Sequence, residues 1–244
     1  MRWNGVPALD RQDIDGNNPA SLSPLLIDLF PPGVEGAELR TAGDPALLLP
    51  DETQSLGRVT PKRAQEFAAG RLCSRRALEN LGIAHYPLAI TRDGLPRWPG
   101  PVVGSIAHTA GMCGAVVAER EQFSSIGLDL ELVVGVSREI WPFICTREES
   151  AWLATLPESE QTQFAALIFS AKEAFYKCQF GVTGQWLEFH DISLDPAASD
   201  WSAGRFSLRP RQRIAFSEHS AAPFVGRFQF HEGFVFTGLS LEAR

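Results

Sequence analysis

The chain has 244 residues, 22 of them Lys or Arg against 29 Asp or Glu, for a formal charge of −7, with 44% apolar and 21% charged residues. That length suffices for one large domain or two of ordinary size with a real core, and the acidic balance argues against non-specific binding to nucleic acid or to an anionic membrane. No apolar run approaches the eighteen or so residues needed to cross a bilayer, and Met1-Arg2-Trp3-Asn4-Gly5 lacks the basic-then-apolar pattern of a secretory signal, so a cytoplasmic protein without stable membrane insertion is expected.

Residues 1–20, rich in Asn, Asp, Gly and Pro, offer little to a core and read as a loose N-terminal arm. Ser23 to Phe30 is apolar until Pro31-Pro32-Gly33 breaks it, and Ala37 to Ala42 suits a short strand. Asp44-Pro45 has the form of an N-cap with Pro at the first helical position and predicts a short helix over Ala46 to Leu49. Thr60-Pro61 repeats the signal for a longer helix to Leu81, where Gly82 supplies the stop. Ala64, Phe67, Ala68 and Leu78 define the apolar side of that helix, yet Arg71 and Arg75 fall among them. Their stems can snorkel past the core edge, or the two guanidiniums can line a cleft that receives phosphate or carboxylate. Lys62 and Arg63 add positive charge at the helix start, where free amides also suit an anion.

Asp93-Gly94-Leu95-Pro96 is a turn. Val102 to His108 and Cys113 to Glu119 read as a hairpin across Thr109-Ala110-Gly111, with a histidine at the end of its first strand. In Ser125-Ile126-Gly127-Leu128-Asp129-Leu130-Glu131-Leu132 the apolar residues alternate with Gly127, Asp129 and Glu131, so a strand buried on one face would project both acids from the other. An exposed strand edge explains two same-face carboxylates; so does a hard divalent cation, which takes oxygen ligands. Thr146-Arg147-Glu148-Glu149 opens a helix, and a longer one should run from about Glu160 to Gln179. On its wheel Phe164, Leu167, Ile168, Ala171, Ala174, Phe175 and Cys178 form a core face, while Glu173 and Lys177, one turn apart, point the opposite way as a solvated pair or a site. Beyond Gly184 the pattern is β-like: Trp186 to Leu194, Arg205 to Leu208, Arg213 to Phe216, and a hairpin around His231-Glu232-Gly233. The four cysteines, Cys73, Cys113, Cys145 and Cys178, sit among apolar residues without a C-x-x-C pair, which suits buried thiols rather than disulfides or zinc ligands.

Three motifs then stand in order: Gly-Ser-Ile-Ala-His at 104–108, Ile-Gly-Leu-Asp-Leu-Glu at 126–131 and Phe-Ser-Ala-Lys-Glu-Ala-Phe-Tyr-Lys at 169–177. With them the chain resembles the 4′-phosphopantetheinyl transferases of the long, two-halved type, firmly from about Arg58 to Gln179. The resemblance implies an α+β fold of two similar halves related by a pseudo-two-fold, each with helices on a small, mainly antiparallel sheet and with the coenzyme A site in the cleft between them. The halves would be residues 21–124, on the 3′-phosphate and adenine side, and 125–244, on the metal side. The activity implied is Mg2+-dependent transfer of the phosphopantetheine arm of coenzyme A to a serine of an apo acyl, peptidyl or aryl carrier protein, releasing 3′,5′-ADP. Mn2+ could substitute for Mg2+, and a monomer is expected. Siderophore, peptide and fatty-acid synthesis all use such carriers.

By the same resemblance Asp129, Glu131 and Glu173 match the metal acids. Glu173, with Glu131 as competitor, matches the base for the incoming serine. Lys172 and Lys177 match the diphosphate lysines, and Ser105 and His108 fall in the motif at the coenzyme A phosphates. Lys62, Arg63, Arg71 and Arg75 lie where the family holds the 3′-phosphate and ribose, and Gly94-Leu95-Pro96 matches the adenine turn. Two positions depart from the pattern: Ala107 stands where Ser is usual, and Leu95 where some relatives carry Lys. Another Mg2+-dependent enzyme of nucleotide diphosphates would use the same acids and lysines, whereas a non-catalytic binding domain would carry them as surface charges.

Overall fold

In the computed structural model, which describes residues 18–201, 204–215 and 223–243, the sequence signals become helix caps and hairpin turns. The first half contains β1 (Ser21–Leu22), α1 (Pro24–Ile27), β2 (Val34–Leu39), α2 (Pro50–Leu56), α3 (Pro61–Asn80), β3 (Val102–Thr109) and β4 (Met112–Glu119). The second contains β5 (Phe123–Leu132), α4 (Trp141–Ile144), α5 (Arg147–Leu153), α6 (Glu158–Thr183), β6 (Ile192–Leu194), β7 (Arg205–Pro210), β8 (Phe224–His231) and β9 (Phe234–Glu242). The strands make two antiparallel sheets, ordered β1-β2-β4-β3 and β5-β9-β8-β7-β6, so the fold is α+β in two halves.

Thr60 caps α3 by accepting from the Arg63 amide, with Pro61 in the first turn. Thr146 and Glu149 form a capping box on α5, each side chain taking the other's backbone N–H. The turns of β3–β4 and β8–β9 place Ala110 and Gly111, then Glu232 and Gly233, at positive φ, the conformation of a two-residue hairpin turn.

Several expectations shift. The strand expected at 37–42 is β2, three residues earlier, and the helix expected at 46–49 is one 3-10 turn, Pro45–Leu47, capped by Asp44. Within 186–194 only β6 is extended, because a 3-10 turn at Phe189–Asp191, closed by the Asp191 carboxylate on the Glu188 amide, precedes it. Residues 211–215 form no strand, and Phe216 lies outside the described residues. So does the N-terminal arm up to residue 17; its last residues are packed, with Asn18 donating to the Leu72 carbonyl and Ala20 buried beside Leu72.

Helix α3 covers the first sheet and α6 the second. Between the sheets lies a third apolar layer that takes Leu26, Phe30 and Val116 from one half and Ile126, Leu128, Leu130 and Phe236 from the other. Both faces of β5 are therefore covered. On the face of Asp129 the cover is α6, and Gly127 lets it approach: a Cβ there would stand 1.9 Å from the Ala174 carbonyl oxygen. The glycine between Ile126 and Leu128 is thus a packing requirement that brings the acids of the strand up to those of the helix.

Candidate active site

The edge strand of one sheet, β3, lies against the edge strand of the other, β5. Two side-chain bonds tie the edges together. The Leu128 amide donates to the Ser105 hydroxyl at 3.0 Å, and the Thr109 hydroxyl donates to the Glu131 carboxylate at 3.3 Å. Ser105, expected at a phosphate, thus also holds the two halves together; a hydroxyl that accepts this bond still has a proton to give.

Asp129 is buried, 3% exposed. One of its oxygens takes the Lys177 ammonium at 2.6 Å, and the other is buried with no hydrogen-bond partner. Burial pushes the Glu131 carboxyl up to about 7, reinforced by the charge of Asp129 and opposed by the Thr109 hydroxyl and Lys177. Glu173 is pushed up as well, first by burial and then by Asp129, with Lys177 opposing. Two carboxyls whose proton affinity is raised beside Asp129, which keeps an orphaned oxygen, are a donor set suited to a hard cation. Among the described residues, no three such side chains stand close enough together to hold a metal ion as they are placed.

His108 stands one residue before the end of β3. Loss of water holds its ring below the ordinary histidine range; Glu66 works against that, and Arg63 and Lys177 add to it. Arg63 reaches the His108 ring at 3.4 Å, while Lys62 is exposed. Two cavities, of about 370 and 430 Å3, flank β3 and share Pro96 and Ile106 in their walls. The first is lined by Arg63, Arg71, Gly94 and His108, and the second by Leu95, Ser105, Tyr176 and Lys177. The 91–95 turn between them is closed by the Gly94 amide on the Thr91 carbonyl, with Gly94 at φ +80°. Arg71 stacks on the Phe67 ring, 3.5 Å from its centre, and donates Nε to the Leu88 carbonyl; its buried Nη2 has no partner. Burial lowers it to about 10.

Two of the expected cationic residues point elsewhere. Arg75 is buried in an ion pair with Glu52 at 2.5 Å and also donates to the Leu47 carbonyl. Lys172, 2% exposed, gives its ammonium to Glu149 at 2.7 Å and to the carbonyls of Ile144 and Phe189 at 2.8 and 2.9 Å. Lys172 does not reach toward Asp129, and Arg75 is not in the wall of the cavity lined by Arg63, Arg71 and His108. Their partners, Glu52 and Glu149, are buried carboxylates whose pairing sequence reasoning passed over. The capping box Thr146-x-x-Glu149 was the available signal for one; Glu52 follows Leu49, whose side chain cannot cap and gave none. A small apolar pocket beside Glu173, walled by Tyr176, Trp186 and Leu187, was also not foreseen.

Residues 51–118 match the 4′-phosphopantetheinyl transferase N-terminal domain, and residues 125–230 match the 4′-phosphopantetheinyl transferase superfamily. Among similar proteins, 4′-phosphopantetheinyl transferase Svp of Streptomyces mobaraensis is 36% identical over 202 residues, covering 81% of this chain and 80% of the relative. The transferase PptT of Mycobacterium tuberculosis is 35% identical, with 79% and 86% covered, and Npt of Nocardia iowensis is 30% identical, with 88% and 99% covered. A crystal structure of Thermotoga maritima holo-acyl-carrier-protein synthase (AcpS) aligns with 49% of this chain and 63% of its own, at 22% identity and a TM-score of 0.36. Relatives named as 4′-phosphopantetheinyl transferases, at 30–36% identity over most of the chain, make this two-halved α+β chain an enzyme. The chain belongs to the 4′-phosphopantetheinyl transferase family.

Proposed function

We propose that this chain moves the 4′-phosphopantetheine arm of coenzyme A onto a serine of an apo carrier protein and releases 3′,5′-ADP. The observation that carries the reading is Asp129, with one oxygen on Lys177 and the other buried and unpaired, set between two carboxylates that hold their protons unusually tightly. Asp129, Glu131 and Glu173 are the residues that would hold Mg2+, or Mn2+ in its place. The bound cation would neutralise charge on the diphosphate.

The chain's own groups account for the rest. An ammonium carries three N–H donors; Lys177 spends one on Asp129 and keeps two for diphosphate oxygens. His108 and Ser105 stand along the same edge strand for further phosphate contacts. The unpartnered Nη2 of Arg71, with Lys62 and Arg63 at the start of α3, would take the 3′-phosphate, and the turn at Gly94, Leu95 and Pro96 would lie against adenine. Glu173, ionised once the acids hold a cation, would take the proton of the incoming serine hydroxyl, with Glu131 as the competing acceptor. The serine oxygen bonds to the phosphorus nearest the pantetheine, and the bond to the bridging oxygen breaks, leaving the electron pair on 3′,5′-ADP. The carrier would dock on the segment from Gly135 to Thr155, where Phe143 is 73% exposed.

Incubation with coenzyme A, Mg2+ and a panel of apo carriers, followed by mass measurement, tests this. One carrier should gain a phosphopantetheine in step with 3′,5′-ADP release, and Glu173→Gln should abolish the gain. No gain on any carrier, or cleavage of coenzyme A without a carrier, rejects the reading, the latter in favour of a nucleotide-diphosphate hydrolase.

A further inference from the structure

Lys172 has three N–H donors, and the structure spends all three inside the protein, on Glu149, Ile144 and Phe189. Nothing remains for a diphosphate. Both oxygens of Glu149 are also committed: Oε2, which takes Lys172, takes the Thr146 amide at the start of α5 as well, and Oε1 takes the Leu194 amide in β6. One buried ion pair therefore fixes the end of α4, the start of α5, the turn before β6 and the helix bearing Glu173.

The first half contains the same device at the same spacing. Arg75 lies 23 residues beyond Glu52 and 28 beyond the Leu47 carbonyl, just as Lys172 lies 23 beyond Glu149 and 28 beyond the Ile144 carbonyl. Glu52 takes the amide three residues before it, at Leu49, and one far downstream, at Leu88. Glu149 does likewise with Thr146 and Leu194. The same bonds recur in both halves, so this arrangement is a way of seating a short helix and a following segment on a long one.

We infer that Lys172 is a positioning residue for the carrier protein: through Glu149 it sets the segment from Ile144 to Glu149, and with it the exposed Phe143, against the helix that carries Glu173. This rests on the proposed transferase reading and deepens it. It also departs from the family resemblance, which would place Lys172 on the diphosphate. A docking surface displaced by about 1 Å can cost on the order of a hundredfold in rate, and here the loss should fall on the carrier alone.

The test varies coenzyme A and an apo carrier that the wild type loads, separately, in Glu149→Gln and in the double variant Lys172→Met, Glu149→Met. The double variant replaces the buried pair by apolar side chains, which folds often tolerate, and Glu149→Gln serves if it does not fold. Both should raise the KM for the carrier about tenfold or more, while the coenzyme A dissociation constant by calorimetry stays within twofold of wild type. Lys177→Ala should instead weaken coenzyme A. A tenfold loss of coenzyme A affinity in the double variant would make Lys172 a phosphate ligand and overturn the inference. Unchanged KM values with a lowered Tm would reduce the pair to core packing and overturn it too. Wild type that loads no carrier, with Glu173→Gln no different, would instead reject the transferase reading; direct carrier titration of the two variants would then decide the inference.

Discussion

Asp129 and Lys177 illustrate how far single side chains could be foreseen. Alternation along β5 placed Asp129 off the main apolar face, and the wheel of α6 turned Glu173 and Lys177 the same way; all three are now within electrostatic reach. Lys172 could not be placed by the same reasoning, because its orientation is set by Glu149 on another helix and by two carbonyls far along the chain. The crowding of acids has a measurable sign. Glu131 keeps its proton to about pH 7 in the folded chain, against 4.5 as its ordinary value. The native state thus binds more protons than the unfolded one within that window, and stability falls as pH rises through it. Thermal unfolding between pH 5 and 8, without divalent cations, should show Tm declining with pH, and Glu131→Gln should flatten the slope.

Among the elements, those announced by local chemistry were legible. Thr60-Pro61 and Gly82 bounded α3 to within a residue, and the turn residues marked the β3–β4 and β8–β9 hairpins. Helix α2 was missed because Leu49 precedes Pro50 at a position usually held by Ser, Thr, Asp or Asn. Gly127 was read only as a member of an alternating strand, since the closeness of α6 is a tertiary fact. Gly127→Ala should push α6 away from β5, costing about 1–3 kcal/mol by overpacking. Denaturant unfolding should show that loss together with reduced transfer activity, as Glu173 moves from Asp129; a variant as stable and active as wild type would contradict the packing described.

For the molecule as a whole, the resemblance implied two similar halves, and composition alone left open one domain or two. The layer between the sheets answers part of this, because Leu26, Phe30 and Val116 share one core with Leu128, Leu130 and Phe236. Separating the halves would expose apolar surface on both. Calorimetry should therefore record a single unfolding transition, and a chain cut in the loop between β4 and β5 should yield neither half stably folded alone; two resolved transitions would contradict a shared core.

The Leu128 amide belongs to the second half, yet it donates to a hydroxyl of the first. It is accordingly a built-in gauge of contact between the halves: deuterium can replace its proton only as fast as that hydroxyl lets go. Ser105→Ala should quicken exchange at this position while leaving amides deep in the second sheet, such as that of Phe236, as slow as before.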